Sequence, residues 1–262
     1  MEEPGESLNS LILPYPGKQL LPESRKHFFS LKSGISDRYI YDLGLSTGEI
    51  LYEGRGGMGF STEPHILGLH DLMRMQYAES LIKEEFEINF KGKWGPAKFF
   101  RLRRDVNQEL KDPNRRTMAR LYCLLACSGF RHKFDQHGNF KGEYFPHHLD
   151  TESIRINNKR LINSDFIIKK GSYKNLDTNL LTKKSLIYFH IPFPSRNQYK
   201  EDALDFFDYI NSRGYDFLLT SRLITRGRDD ELLMDWSKKY FSIRAPLSDD
   251  KFSSSDIFIT NF

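Results

Sequence analysis

The sequence predicts an α/β fold, and three observations predict it. Leu186-Ile187-Tyr188-Phe189-His190-Ile191 is an apolar run of strand length that stops at Pro192-Phe193-Pro194. From Ala203 to Arg213, Leu204, Phe207 and Ile210 recur at helical spacing, and Gly214 ends the run. Tyr215 to Ser221 is then a second apolar run. A strand, an amphipathic helix stopped by glycine and another strand make a crossover between neighbouring strands.

The other elements follow in chain order. Met1 to Asn9 is polar, with Pro4 and Gly5, so residues 1–10 are expected to be a disordered tail. Tyr39-Ile40-Tyr41-Asp42 reads as a strand ending in an acidic residue and the small-residue turn Leu43-Gly44-Leu45-Ser46-Thr47-Gly48. Ile50 to Ser61 is a second glycine-rich stretch, holding Gly54, Gly56, Gly57 and Gly59. Between residues 72 and 150 the helices are interrupted by Lys91-Gly92-Lys93-Trp94-Gly95-Pro96, and Phe99 to Leu110 carries Arg101, Arg103 and Arg104. After Asp112-Pro113 a helix is expected from Arg115 to Cys127, bringing Arg115, Arg116 and Arg120. Ser128 to Phe140 reads as a hairpin about a Gly138-Asn139 turn. Near the C-terminus, Glu231 to Tyr240 reads as a helix and Ile257 to Phe262 as a last strand.

Composition fits one globular body of 262 residues, in one domain or one plus an insertion. Lys and Arg number 39 against 35 Asp and Glu, a net charge of +4, so attraction to a polyanion must come from local patches. No signal peptide or transmembrane run is visible, and a soluble, cytoplasmic protein without membrane contact is expected. Cys123 and Cys127 share a helical face but are too few for a zinc site, so no metal is expected.

These segments, taken in order, resemble Dam-type DNA adenine methyltransferases of the T-even phage kind, from about residue 11 to the C-terminus. The resemblance implies a Rossmann-like S-adenosylmethionine-dependent methyltransferase domain over 11–71 and 151–262, with an inserted helical and hairpin DNA-recognition domain over 72–150. Tyr15-Pro16-Gly17-Lys18-Gln19-Leu20-Leu21-Pro22 is similar to the family's opening motif, one residue short, which implies cofactor contacts from Tyr15, Gly17 and Lys18. The cofactor-cradling glycine motif fits two registers, Tyr39 to Gly48 or Ile50 to Ser61. The second is preferred, because Gly56-Gly57 matches the family's paired glycines and Asp71 then stands where the ribose-binding acid is held; Arg55 would then sit in the loop and repel the cofactor's sulfonium.

The active-site strand departs from the family at the residue that matters most. An adenine amine is a poor nucleophile, because its lone pair is delocalised into the ring; acceptors that localise the pair are required. In the family an Asp-Pro-Pro-Tyr motif supplies a carboxylate, a backbone carbonyl and a ring that stacks on a flipped base. Here the motif is His190-Ile191-Pro192-Phe193: Pro192 is kept and Phe193 can stack, but His190 offers at most one neutral acceptor. Methyl transfer and S-adenosylmethionine affinity are both expected to be weak or lost.

The hairpin resembles the family's sequence-reading element, two residues shorter, which implies double-stranded DNA contacts from Arg131, His132, Lys133 and Asn139. Three functions stay open: a DNA-binding pseudo-methyltransferase with a regulatory or subunit role, an active adenine methyltransferase with a variant motif, and a protein-interaction subunit that has lost both ligands.

Overall fold

The computed structural model describes residues 35–45, 48, 50–90, 95–128, 134–135, 137–145, 149–191, 197–222, 224–225, 228–244 and 256–262. The chain divides into two compact units: a helical one built on Glu63–Ser164, and a sheet unit built on residues 35–45, Ile50–Thr62 and Asp165–Phe262.

The helical unit holds α1 (Pro64–Met73), α2 (Ala78–Phe90), α3 (Pro96–Glu109), α4 (Arg115–Ala126) and α5 (Thr151–Ile162). It extends on both sides of the stretch 72–150, taking in α1 and α5. Helix α4 packs against α1, α2 and α3, and the sequence explains its central place. Thr117, Met118, Ala119 and all of Leu121 to Leu125 are buried, so the helix is apolar on nearly every side. Asn114 starts it, its side chain accepting the Thr117 N–H at 3.0 Å. Asp150 caps α5 in the same way through the Ser153 N–H, also at 3.0 Å. Asn158 of α5 then donates to the carbonyls of Met73 and Met75, at 2.7 and 2.8 Å, satisfying the open C-terminal end of α1. The paired cysteines are core residues here, and burial pushes both thiols up.

Among the described residues, the main sheet of the sheet unit has seven strands: β1 (Tyr39–Asp42), β2 (Gly56–Ser61), β3 (Phe166–Lys170), β4 (Ser185–Ile191), β5 (Asp216–Arg222), β6 (Phe241–Arg244) and β7 (Asp256–Thr260); Ile224–Thr225 and Arg228–Asp229 pair separately. Their order is β3-β2-β1-β4-β5-β7-β6. The first five run parallel, while β7 is antiparallel to both of its neighbours. The fold is therefore α/β and Rossmann-like, with a mixed sheet. Strand β4 is buried along its whole length except at the half-buried His190, which is why it reads as a continuous apolar run. Helix α6 (Asn197–Ser212) returns the chain to β5 and packs Ala203, Leu204, Phe207 and Ile210 into a core with Phe189, Phe217 and Leu219. Gly214, at φ +73°, ends the crossover in the left-handed conformation that glycine adopts without strain. Helix α7 (Glu231–Ser237) closes the same core through Leu233 and Trp236.

The chain winds outward from β1 to β2 and β3, then crosses back to β4 and winds the other way. β1 and β4 are thus neighbours at the point where the winding direction reverses. In open α/β sheets ligands bind outside the carboxyl ends of the strands at this point. No described helix is long and apolar enough to cross a membrane.

Candidate functional site

The carboxyl ends of β1 and β4 are held in register, with Asp42 opposite Tyr188. Beyond them the Leu43 N–H donates to the Tyr188 carbonyl at 2.9 Å, and the Leu45 N–H to the Phe60 carbonyl at 2.8 Å. Asp42 is buried, and its Oδ1 accepts the Gly44 N–H at 3.1 Å, which folds the chain into a tight turn at the strand end. Gly44 is required by β4: a β-carbon there would lie 2.9 Å from the Phe189 ring. A buried carboxylate and a small turn thus face the reversal point from β1.

From β4 the site receives Tyr188 and His190, which share one face because they are two apart. Their partner lies across the ladder, where His190 pairs in register with Thr220 of β5. His190 Nδ1 lies 2.9 Å from Thr220 Oγ1, and Tyr188 Oη lies 3.1 Å from the same oxygen. A threonine hydroxyl has one hydrogen and two lone pairs, so Thr220 donates to at most one of these partners and can accept from both. Where Thr220 donates to Nδ1, that bond uses the acceptor of the neutral imidazole; where Nδ1 donates to Thr220, the neutral ring's acceptor atom is Nε2. Next to it, Ser221 Oγ donates to the Ile191 carbonyl at 3.1 Å, tying the last residue of β4 to β5.

The preferred glycine register falls on a strand. Gly56 and Gly57 are not in a loop: they are the first residues of β2, paired with Tyr39 and Ile40 of β1. The physical reason is close packing, since a β-carbon on Gly57 would fall 1.9 Å from the Ile40 carbonyl oxygen, and its φ is +150°. The turn Leu43 to Leu45 after β1 stands at the reversal point. Arg55 precedes β2, where its N–H donates to the Arg38 carbonyl at 2.9 Å. It therefore stands at the amino end of the strands. Asp71 is an exposed residue of α1, in the helical unit. Tyr15, Gly17, Lys18, Pro192 and Phe193 lie outside the described residues. Sequence reasoning missed Thr220 and Tyr188 as partners of His190, and passed over Asp42 and Gly44 although the strand ending in an acid was visible.

Where the hairpin is expected in the helical unit, the described residues show two isolated antiparallel bridges, Ser128–Tyr144 and Phe134–Phe140. Arg131, His132 and Lys133 lie outside the described residues. Asn139 sits in the turn, where Asp135 organises the chain. Its carboxylate accepts the N–H groups of His137 (2.9 Å) and Asn139 (3.0 Å), with Lys141 Nζ at 3.3 Å. The Asn139 backbone N–H foremost, with these other donors, holds the Asp135 carboxyl well below the usual carboxylate range. Several of the arginines noted in the sequence are engaged within the unit: Arg116 pairs with Glu84 and Glu85, each at 2.7 Å, and Arg120 with Glu109 at 2.8 Å. Arg115 bonds the Tyr77 hydroxyl. No cluster of three or more His, Cys, Asp or Glu able to hold a metal ion occurs among the described residues.

No family model matches the chain. The type II methyltransferase M.FokI of Planomicrobium okeanokoites is 31% identical over 102 residues, a stretch that covers 35% of this chain and 16% of that protein. The chain thus spans about one sixth of the length of that relative. Two solved structures align along nearly the whole chain. A methyltransferase from Pyrococcus furiosus has a TM-score of 0.39 at 10% identity, covering 98% of this chain and 92% of its own. A precorrin-6y C5,15-methyltransferase from Geobacter metallireducens GS-15 has a TM-score of 0.39 at 10% identity, covering 95% and 96%. The chain is a Rossmann-like α/β protein with a distant, partial similarity to a DNA methyltransferase.

Proposed function

We propose that this chain is a DNA-binding protein on a methyltransferase scaffold whose amine-activating centre is degenerate, serving a regulatory or subunit role. The observation that carries the proposal is His190. It stands at the carboxyl end of β4, where the resembling enzymes have a carboxylate, and its Nδ1 is bound to the Thr220 hydroxyl at 2.9 Å. Loss of one preorganised electrostatic group at a reacting centre costs about two to three orders of magnitude in rate. DNA as the partner is supported by the partial similarity to M.FokI and by the hairpin.

The turn at β1 fits S-adenosylmethionine in part. Asp42 brings a buried carboxyl to the reversal point, in the position to face the cofactor's methionine end, and its Oδ1 accepts the Gly44 N–H. When bound, the cofactor supplies an electrophilic methyl group; Asp42 and the backbone of residues 43–45 would hold it, with Tyr15, Gly17 and Lys18 the candidates from the opening motif. Phe193 and Pro192 remain the candidates for stacking on a flipped base.

A second reading, an active adenine methyltransferase with a variant motif, is favoured by one observation. Nδ1 of His190 can be the donor to Thr220 Oγ1, the tautomer whose acceptor atom is Nε2. Incubation with labelled S-adenosylmethionine and unmethylated duplex DNA separates the two. No methyl incorporation is expected. Repeated turnovers that disappear in Phe193→Ala would establish the enzyme and end the pseudoenzyme reading. His190→Asp combined with Ile191→Pro, which returns the carboxylate and the first proline, shows whether these two positions are the main defect.

A further inference from the structure

We infer that the cleft between α3 and the hairpin is a phosphodiester-gripping surface for duplex DNA, with Arg104 and Lys111 as the phosphate contacts; this rests on the DNA-binding reading above. The cleft has a volume of about 440 Å³ and is lined by Phe100, Arg103, Arg104, Asn107, Gln108, Lys111, Asn139 and Lys141. Four of these residues are cations, three are amides and none is acidic. Such a lining suits an extended polyanion rather than an apolar small molecule, whose pocket would be mostly hydrophobic.

The lining divides into residues that build the cleft and residues that face outward. Arg103 and Asn107, one turn apart on α3, clamp the hairpin. Asn107 accepts the Phe140 N–H at 2.7 Å and donates to the Phe140 carbonyl at 3.0 Å, while Arg103 donates to the Gly142 carbonyl at 2.9 Å and lies over the Phe100 ring at 4.8 Å. On the adjacent stripe Arg104 and Gln108 are a turn apart, and Lys111 continues the line just past the helix end. All three are exposed. Arg104 has only a loose contact to its neighbour Asp105, 3.5 Å from Nε, with its side chain 70% exposed. Across the cleft Lys141 is 55% exposed and leans on Asp135 at 3.3 Å.

The negative end of the α3 dipole opposes an anion here, but it amounts to only about half a charge, against four cations. Because the clamp fixes the hairpin to α3 through backbone atoms, the cations on both walls keep their spacing. A rigid basic track of this kind grips backbone without reading bases.

The test uses the full chain and a short duplex, with affinity followed by fluorescence anisotropy as salt rises. Each phosphate contact contributes about 0.9 to the slope of log affinity against log salt. The double variant Arg104→Gln, Lys111→Gln should lower that slope by about two and weaken binding at least tenfold at moderate salt. Lys183→Gln, Lys184→Gln removes the same net charge from exposed positions of the sheet unit and should leave the slope unchanged. Equal slopes for the cleft variant and the parent would overturn the cleft assignment while leaving DNA binding intact. Equal losses in the two double variants would also overturn it, by showing a general charge effect. A parent that fails to bind duplex at low salt removes the DNA reading itself, and the cleft assignment with it.

Discussion

Gly57 passes so close to Ile40 that a β-carbon on it would lie 1.9 Å from the Ile40 carbonyl oxygen, with φ at +150°. The overlap is with backbone in the centre of a parallel ladder, so no side chain can move to relieve it. Gly57→Ala should therefore cost about 2–4 kcal/mol, from backbone strain and overpacking together. Gly138→Ala is the contrast: its φ is +78° but nothing lies within 4 Å, so it should cost only about 1 kcal/mol. Urea unfolding of both variants checks the difference. Equal midpoints would mean that β1 and β2 can separate without penalty.

The same glycine shows where the sequence stops being legible. A Gly-Gly pair looks alike whether it makes room for a cofactor or for a neighbouring strand, and the neighbour here is set by sheet register. By contrast, the crossover from β4 through α6 to β5 was readable, because periodicity and the stop at Gly214 are local properties. His190 was visible as a lost carboxylate, yet its partner Thr220 was not, since the two are 30 residues apart and meet only through parallel pairing. The arginines of α4 were visible as charges; that Glu85 and Glu109 absorb two of them is a matter of helix packing.

Thr220 is fully buried and is the common partner of Tyr188 and His190. Thr220→Val keeps the shape and removes the bridge, at an expected cost of about 1–3 kcal/mol for buried polar groups deprived of a bond. Thr220→Ser, which keeps the hydroxyl, should recover most of it. If Val and Ser unfold at the same denaturant concentration, the hydroxyl chain contributes nothing to the end of β4.

The Asp135 turn predicts an acid-sensitive hairpin. The folded carboxyl is held below its unfolded value, chiefly by the Asn139 N–H. A depressed folded pKa means that its contribution to stability is complete above the ordinary carboxylate pKa of about 4 and is lost as pH falls through the lower folded value. The amide resonances of His137 and Asn139 should therefore hold steady through pH 4 and shift only in stronger acid. In Asp135→Asn that acid-dependent shift should vanish. A midpoint near pH 4 in the parent would show that the carboxylate is not held by these donors.

Stability and DNA attraction should separate cleanly between two sets of arginines. Arg120 has a side chain only 20% exposed, 2.8 Å from Glu109 and 3.5 Å from Glu85, and Glu85 is itself 5% exposed. Removing one partner from a fully buried pair costs about 3–5 kcal/mol. Because Glu109 keeps some solvent, at 34% exposure, Arg120→Gln should cost less, about 1–3 kcal/mol. Its guanidinium already has its counter-charges, so it releases no counterions from a phosphate, and the salt slope for DNA should not change. Arg104→Gln, on the open cleft wall, should do the reverse: flatten the slope by about one with an unchanged unfolding midpoint. Thermal or urea unfolding and salt-dependent anisotropy on the same two variants give four readings. A flattened slope in Arg120→Gln would mean that the α4 cations leave their carboxylates for DNA, and that the ion pairs on that helix are exchangeable rather than structural.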